Sequence, residues 1–318
     1  MQKKGEPTMN NTDTAAKPKN KKRKILIILL IAFIVLVALL TAIYIRVNPT
    51  WRAAKLTIEQ SDIDYHVQNV DPDGATVSTR IAPPEGYTRI SVDKGSFGEY
   101  LRNYPVLPDG VKLPVYDGST MSPYDAAAIF DISLGDEGYQ QCADSIIRLY
   151  SDYFYENKQY DKISFQFSNG DECSYERWRD GHRMLVLGGF SMEIPAALSD
   201  DSEQQYRNYL KEVMNYAGTI SLQNESKVIP VSELKIGDFI CSDSHVVMIV
   251  DIAENDKGEK CYLIGQSFIP AVCFHIVINR AENETSAWFT QKQLEQDSFE
   301  IGVYTFNKSN IRRWKDGL

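Results

Sequence analysis

Histidine is scarce and paired metal-ligand motifs are missing: four histidines stand among 318 residues, and the five cysteines form no Cys-x-x-Cys pair. The second absence argues against a zinc ribbon. Basic charge is confined to the N-terminus. Residues 1–24 hold eight lysines and arginines against Glu6 and Asp13, a local charge of +6, so the total of −9 leaves −15 on residues 25–318. An acidic body with no RNA- or DNA-binding signature excludes nucleic acid as a partner. What remains is an ordinary globular composition, 43% hydrophobic and 24% charged, with length enough for one or two domains.

One long apolar run is present, Ile25–Ile45, softened only by Thr41 and Tyr44. Its 21 residues suit a single membrane-spanning helix. Lys21-Lys22-Arg23-Lys24 on its N-terminal side would hold residues 1–24 in the cytoplasm. The run exceeds the about 7–15 apolar residues of a signal peptide, and no lipobox-like cysteine follows it. An uncleaved anchor in the cell membrane is therefore expected, with the C-terminal part extracytoplasmic. The layout reads as a cytoplasmic basic tail (1–24), a transmembrane helix (25–45), a stalk (46–75), a globular domain (76–306) and a basic tail (307–318). An odd number of cysteines in an exported chain leaves a thiol over. Two disulfides with a free Cys142 fit, and so do five reduced cysteines.

Within the domain, Gly135-Asp136-Glu137-Gly138 marks a loop and the residues after Gln141 read as helix to about Glu156. Cys142, Ile146, Leu149 and Tyr153 recur at helical spacing beside Ala143, Ile147, Tyr150 and Phe154, and Asp144, Arg148 and Asp152 follow at i,i+4 on the remaining face. Short strands are expected at Val77–Ile81, Thr88–Val92 and Ala127–Ile132. A helix capped by Ser96 and Glu99 is expected between them. Ile163, Phe165 and Phe167 alternate as a strand that turns at Asn169-Gly170 and returns at Arg183–Leu187. Asp200–Gly218 is a second amphipathic helix. The remainder is strand-rich: Lys235–Ile240, His245–Asp251, Tyr262–Ser267, Phe274–Ile278 and Ile301–Phe306. Together these give an α+β class.

A cysteine near a helix start meets unpaired N–H groups that favour a thiolate, although most buried cysteines are small core residues. Thiol chemistry also needs an imidazole and a group to orient it. His66 falls in the stalk and His182 in a polar turn, which leaves His245 and His275. His245 opens an apolar strand. Gln266 lies on the strand that returns beside it, and Ser267 alternates to the other face. Cys273 with His275, and Cys241 with His245, fit no specific metal site, so no metal and no cofactor is called for. Asp117, Trp178, Ser267 and His275 are cleft candidates.

Residues 76–306 resemble an uncharacterised bacterial domain family known only as a domain of unknown function. The shared blocks are Ser96 to Arg102, Tyr116-Asp117-Gly118, Gln140-Gln141-Cys142-Ala143-Asp144 with Arg148, Tyr175-x-x-Trp178-x-x-Gly181, Ile236-Gly237-Asp238, His245 with its strand, and Gln266 to Ala271. A looser similarity is to papain-like amidases of the CHAP and NlpC type. It rests on the order Cys142, Gly237-Asp238, His245, Gln266, although the Asp-Cys-Ser-Gly context of those enzymes is here Gln-Cys-Ala-Asp. That similarity implies a papain-like fold with the Cys-bearing helix packed on an antiparallel sheet. It implies acyl transfer by Cys142, His245 and Gln266, with Gln140 or Gln141 joining the Cys142 N–H at the oxyanion and a cell-wall (peptidoglycan) peptide as substrate. The alternative is an inactive envelope module that binds a ligand or serves as structure.

Overall fold

Residues 239–278 contain nearly unbroken apolar runs, the pattern of strands covered on both faces, and they build the centre of a sheet. The computed structural model describes residues 29–31, 33–37, 67–121, 126–135, 137–280 and 286–315. The chain divides into two units, Met1–Asn48 and Pro49–Leu318. In the first, residues 29–31 and 33–37 are helical and exposed, Leu29 at 60% and Phe33 at 63%. No helix among the described residues is long and apolar enough to cross a membrane. The expected single-pass anchor and extracytoplasmic placement are corrected on that ground. The rest of 25–45, the tail 1–24 and most of the stalk, His66 included, lie outside the described residues.

The second unit is organised by nine strands: β1 (Tyr87–Arg89), β2 (Ala126–Ile129), β3 (Ser226–Val228), β4 (Phe239–Cys241), β5 (Val246–Asn255), β6 (Lys260–Gln266), β7 (His275–Val277), β8 (Trp288–Thr290) and β9 (Ile311–Trp314). Their order is β2-β7-β6-β5-β4-β9-β3, with β1 paired to β5 and β8 to β6. Every pairing is antiparallel. The two longest helices are α1 (Cys142–Glu156) and α2 (Glu203–Tyr216). The expected papain-like α+β fold is thereby overturned. The sheet is the core, because β5 is buried from Val246 to Ala253 and β6 from Cys261 to Gln266, and helices are few.

Helix α1 forms where the periodicity places it. Its apolar face, Ile146, Ile147, Leu149, Tyr150 and Phe154, is buried. The Asp144 carboxylate accepts the Gln141 N–H at 3.0 Å and closes the first turn. The Tyr150 hydroxyl donates to the Gly237 carbonyl, which ties the helix to the entry of β4. Asp238 meets Arg313 of β9 at 2.7 Å. The Gly237-Asp238 pair is thus a structural junction.

Several local expectations fail for identifiable reasons. Val77–Arg80 is a helical turn, not a strand, because Thr76 and Thr79 cap it reciprocally. Asn169-Gly170 does turn the chain, but Ser164–Gln166 pairs with Glu172–Ser174, and His182–Leu187 pairs with Phe190–Pro195. Residues 311–314, assigned to the tail, form β9 between β4 and β3. All five cysteines are free and buried, so no disulfide frames the domain.

Gly265, beside Gln266 on β6, has a packing reason. A Cβ there would stand 2.4 Å from a Phe274 ring carbon and 3.0 Å from Val250. Gly265→Ala is expected to cost about 1–3 kcal/mol through overpacking, read from the denaturation midpoint; an unchanged midpoint would refute this account of the glycine.

Candidate active site

Cys142 is the first residue of α1 and 7% exposed. The backbone N–H groups of Ala143, Cys142 itself and Val246 lie near enough to its sulfur to favour the thiolate. Val246 directly follows His245, so the thiol rests against the stretch of chain that carries the imidazole. The Met248–Gly265 pairing puts Val247 opposite Gln266 and leaves His245 one diagonal step away on the same face. Accordingly His245 Nε2 lies 2.9 Å from Gln266 Oε1. Its other ring nitrogen, Nδ1, is buried with no hydrogen-bond partner. No hydrogen bond between sulfur and Nδ1 is closed. Catalytic hydrogen bonds are often long before substrate arrives.

On the other side of β6, Gln266 pairs in register with His275. Gln266 Nε2 is 3.5 Å from His275 Nε2, and His275 Nδ1 is 3.0 Å from the Cys273 carbonyl. Both imidazoles and the amide are fully buried. Tyr304 stacks on His245 with ring centres 3.6 Å apart and planes 8° from parallel. It belongs to the hairpin Phe299–Ile301/Tyr304–Phe306, whose Gly302 sits against the Gln266 amide.

Burial sets the charge states. It pushes the Cys142 thiol up to about 12, seconded by the nearby Asp144 carboxyl. A helix N-terminus offers an anion at most about 2 kcal/mol, whereas a rise of three units corresponds to about 4 kcal/mol. Desolvation wins, and the resting thiol is neutral. Burial also pushes Asp144 up to about 8. It holds His245 down to about 3 against the opposing Gln266 hydrogen bond, and His275 down to about 4. Both rings are neutral at physiological pH.

His245, Gln266 and His275 are therefore joined by polar contacts, with the backbone of Val246 near Cys142, and the remaining candidates divide. Gln140 is 2% exposed; its Oε1 takes a hydrogen bond from Arg148 and its Nε2 has no partner. Gln141 donates its amide to the Gly138 carbonyl at 3.4 Å. Ser267 turns to the opposite face and donates to the Val272 carbonyl at 2.6 Å. Asp117 is exposed and accepts from Ser119 in a tight turn. Trp178 packs on Tyr209 and under Arg183. None of these contacts of Asp117 and Trp178 involves the thiol. Among the described residues no cluster of histidine, cysteine or carboxylate can hold a metal. A cleft of about 560 Å³ is lined by Leu107, Val115, Tyr116, Asp131, Leu134 and Cys273 among others, but not by Cys142, His245 or Gln266. Sequence reasoning missed Tyr304. It reads as one more apolar residue in an aromatic hairpin, and no local pattern announces a stack on a distant ring.

A family described as Domain of unknown function (4846) matches residues 77–313, about three-quarters of the chain. The match agrees with the resemblance read over 76–306 and reaches into β9. No curated protein and no solved structure matches, so neither search supports the similarity to CHAP and NlpC-type amidases.

Two measurements check the electrostatics. Native Cys142 should alkylate with iodoacetamide at pH 8 about a thousandfold more slowly than in the unfolded chain, because its pKa rises from about 8.5 to about 12; rapid native labelling would contradict a neutral buried thiol. The depressed histidines give stability that is present above about pH 6.5 and lost as pH falls toward about 4 and 3. Between pH 6.5 and 5 each imidazole should steepen that decline toward about 1.4 kcal/mol per unit. His245→Gln should remove one such contribution from the urea-unfolding profile, and an unaltered slope would show that this ring protonates freely in the folded chain.

Proposed function

The chain belongs to this family of unknown function, and we propose that it is a cysteine hydrolase carrying out Cys–His acyl transfer on an amide or ester carbonyl. The observation that carries this reading is the His245 ring: Gln266 holds one nitrogen, the other is unpartnered, and the backbone N–H of the next residue, Val246, is near enough to the Cys142 sulfur to favour its thiolate. The order Cys142, Gly237-Asp238, His245, Gln266 is also that of CHAP and NlpC-type amidases and supports the same chemistry without a shared fold.

Because thiol and imidazole are both neutral when buried, the proton leaves sulfur for His245 Nδ1 as the carbonyl is attacked, in general-base fashion. The new S–C bond gives a tetrahedral centre. Its oxyanion is met by the Cys142 N–H and by Gln140 Nε2–H, a buried donor otherwise unused. Collapse breaks the bond to the leaving amine or alcohol, which takes the proton from His245. Water, deprotonated by the same nitrogen, then hydrolyses the thioester. The cell-wall peptide expected as substrate depended on an exported location, so the proposal is confined to the reaction class.

A second reading, a non-catalytic module, is favoured by one observation: the pair is buried under the Tyr304 hairpin with both groups neutral. Turnover of p-nitrophenyl acetate and of peptide p-nitroanilides separates the two. Cys142→Ala should abolish turnover, and His245→Ala should lower it by about 10²–10⁴. Turnover that survives Cys142→Ala intact overturns the Cys142 hydrolase, and its absence from the unmodified chain favours the module.

A further inference from the structure

Four polar groups run in a line through the sheet: the Cys273 carbonyl, His275, Gln266 and His245. Their hydrogen bonds leave one consistent assignment of protons. A carbonyl can only accept, so His275 carries its proton on Nδ1, 3.0 Å from Cys273 O. Burial keeps that ring neutral, so its Nε2 is a lone pair. The amide group 3.5 Å away must then be the NH₂ of Gln266, which turns the Gln266 carbonyl toward His245. A carbonyl again requires a donor, and His245 Nε2, at 2.9 Å, supplies it. The remaining nitrogen of His245 is left as an unprotonated lone pair, the one without a partner.

We infer that His275 is a positioning residue: through the Gln266 amide it fixes His245 in the Nε2–H tautomer, so that Nδ1 carries the free lone pair, the base to which the hydrolase reading assigns the thiol proton. This rests on the hydrolase reading above for its consequence, though not for its geometry. Without His275, the Gln266 amide has no acceptor to hold its NH₂ and is free to flip. A flipped amide offers N–H to His245 Nε2, selects the Nδ1–H tautomer and leaves no lone pair to receive the thiol proton. Register makes the arrangement rigid, since Gln266 and His275 are cross-strand partners and each strand is buried.

The test is long-range ¹H–¹⁵N correlation on the full chain labelled in histidine, at pH 7, with resonances assigned from single variants. In the unmodified protein, His275 should appear as the Nδ1–H form and His245 as the Nε2–H form. His275→Leu should shift the His245 nitrogens toward a mixture of tautomers, and His275→Gln, whose side-chain carbonyl can replace the lost acceptor, should restore the original signal. Gln266→Glu, which offers acceptors to both rings, should drive His275 to the doubly protonated form. An Nδ1–H form of His245 in the unmodified chain overturns the relay. So does a His245 signal unmoved in His275→Leu, or, where that variant does not fold, a His275 signal unmoved in Gln266→Glu. Ester turnover distinguishes the two readings. If the tautomers behave as stated and no Cys142-dependent turnover exists, the hydrolase falls and the relay stands. If turnover is intact and the tautomers ignore His275, the reverse holds.

Discussion

Between Val246 and Gln266 the chain doubles back in an antiparallel ladder that is buried for most of its length. Side chains in such a ladder alternate faces, so a slip of one residue would send His245 and Gln266 to opposite sides of the sheet. Apolar burial alone resists that slip weakly here, since both faces are covered. A charge does more. The register shifts between Ile249 and Asp251, and the fully buried Asp251 carboxylate is gripped by Arg89 at 2.6 Å and by Arg102 at 2.7 Å. Removing a partner from such a buried arrangement typically costs about 3–5 kcal/mol. An ion cluster midway along the ladder thus holds the alignment that the imidazole and amide need at its end.

The same burial that fixes these groups also quiets them. Water would keep the thiol partly ionised and the imidazoles half-protonated near neutrality; the sheet interior holds all three neutral. An unpaired polar atom in such surroundings costs about 1–3 kcal/mol. Two of these belong to residues flanking the thiol in space or sequence, His245 Nδ1 and Gln140 Nε2. One is an acceptor and the other a donor, the pair that the proposed acyl transfer would use.

The placement of several candidate residues could be read from residue order. Helical spacing located α1 and placed Cys142 at its first turn, and the strand alternation after Tyr262 separated Gln266 from Ser267. The architecture could not be read so well. Periodicity reports which face of a segment is apolar, not which segments become neighbours. The order β2-β7-β6-β5-β4-β9-β3 joins strands far apart in sequence, so an inventory of elements suggested the wrong fold class. Val77–Arg80 was misread because reciprocal threonine capping outweighs strand propensity over four residues. Residues 311–314 looked like a tail because Arg312 and Arg313 obscure the strand; their side chains reach Ser226 and Asp238. The run at 25–45 has a span's composition, but most of it lies outside the described residues, and among those no helix is long and apolar enough to cross a membrane.

A tyrosine ring 3.6 Å from an imidazole is in van der Waals contact and leaves no gap for a third planar group. Any molecule approaching His245 from that side has to dislodge Tyr304 first. That ring is carried by a two-stranded ribbon outside the nine-stranded sheet, and the ribbon's Phe299, Ile301, Tyr304 and Phe306 are all buried. Reaching His245 from that side therefore means unpacking part of the core, an opening cost separate from any chemistry at the ring.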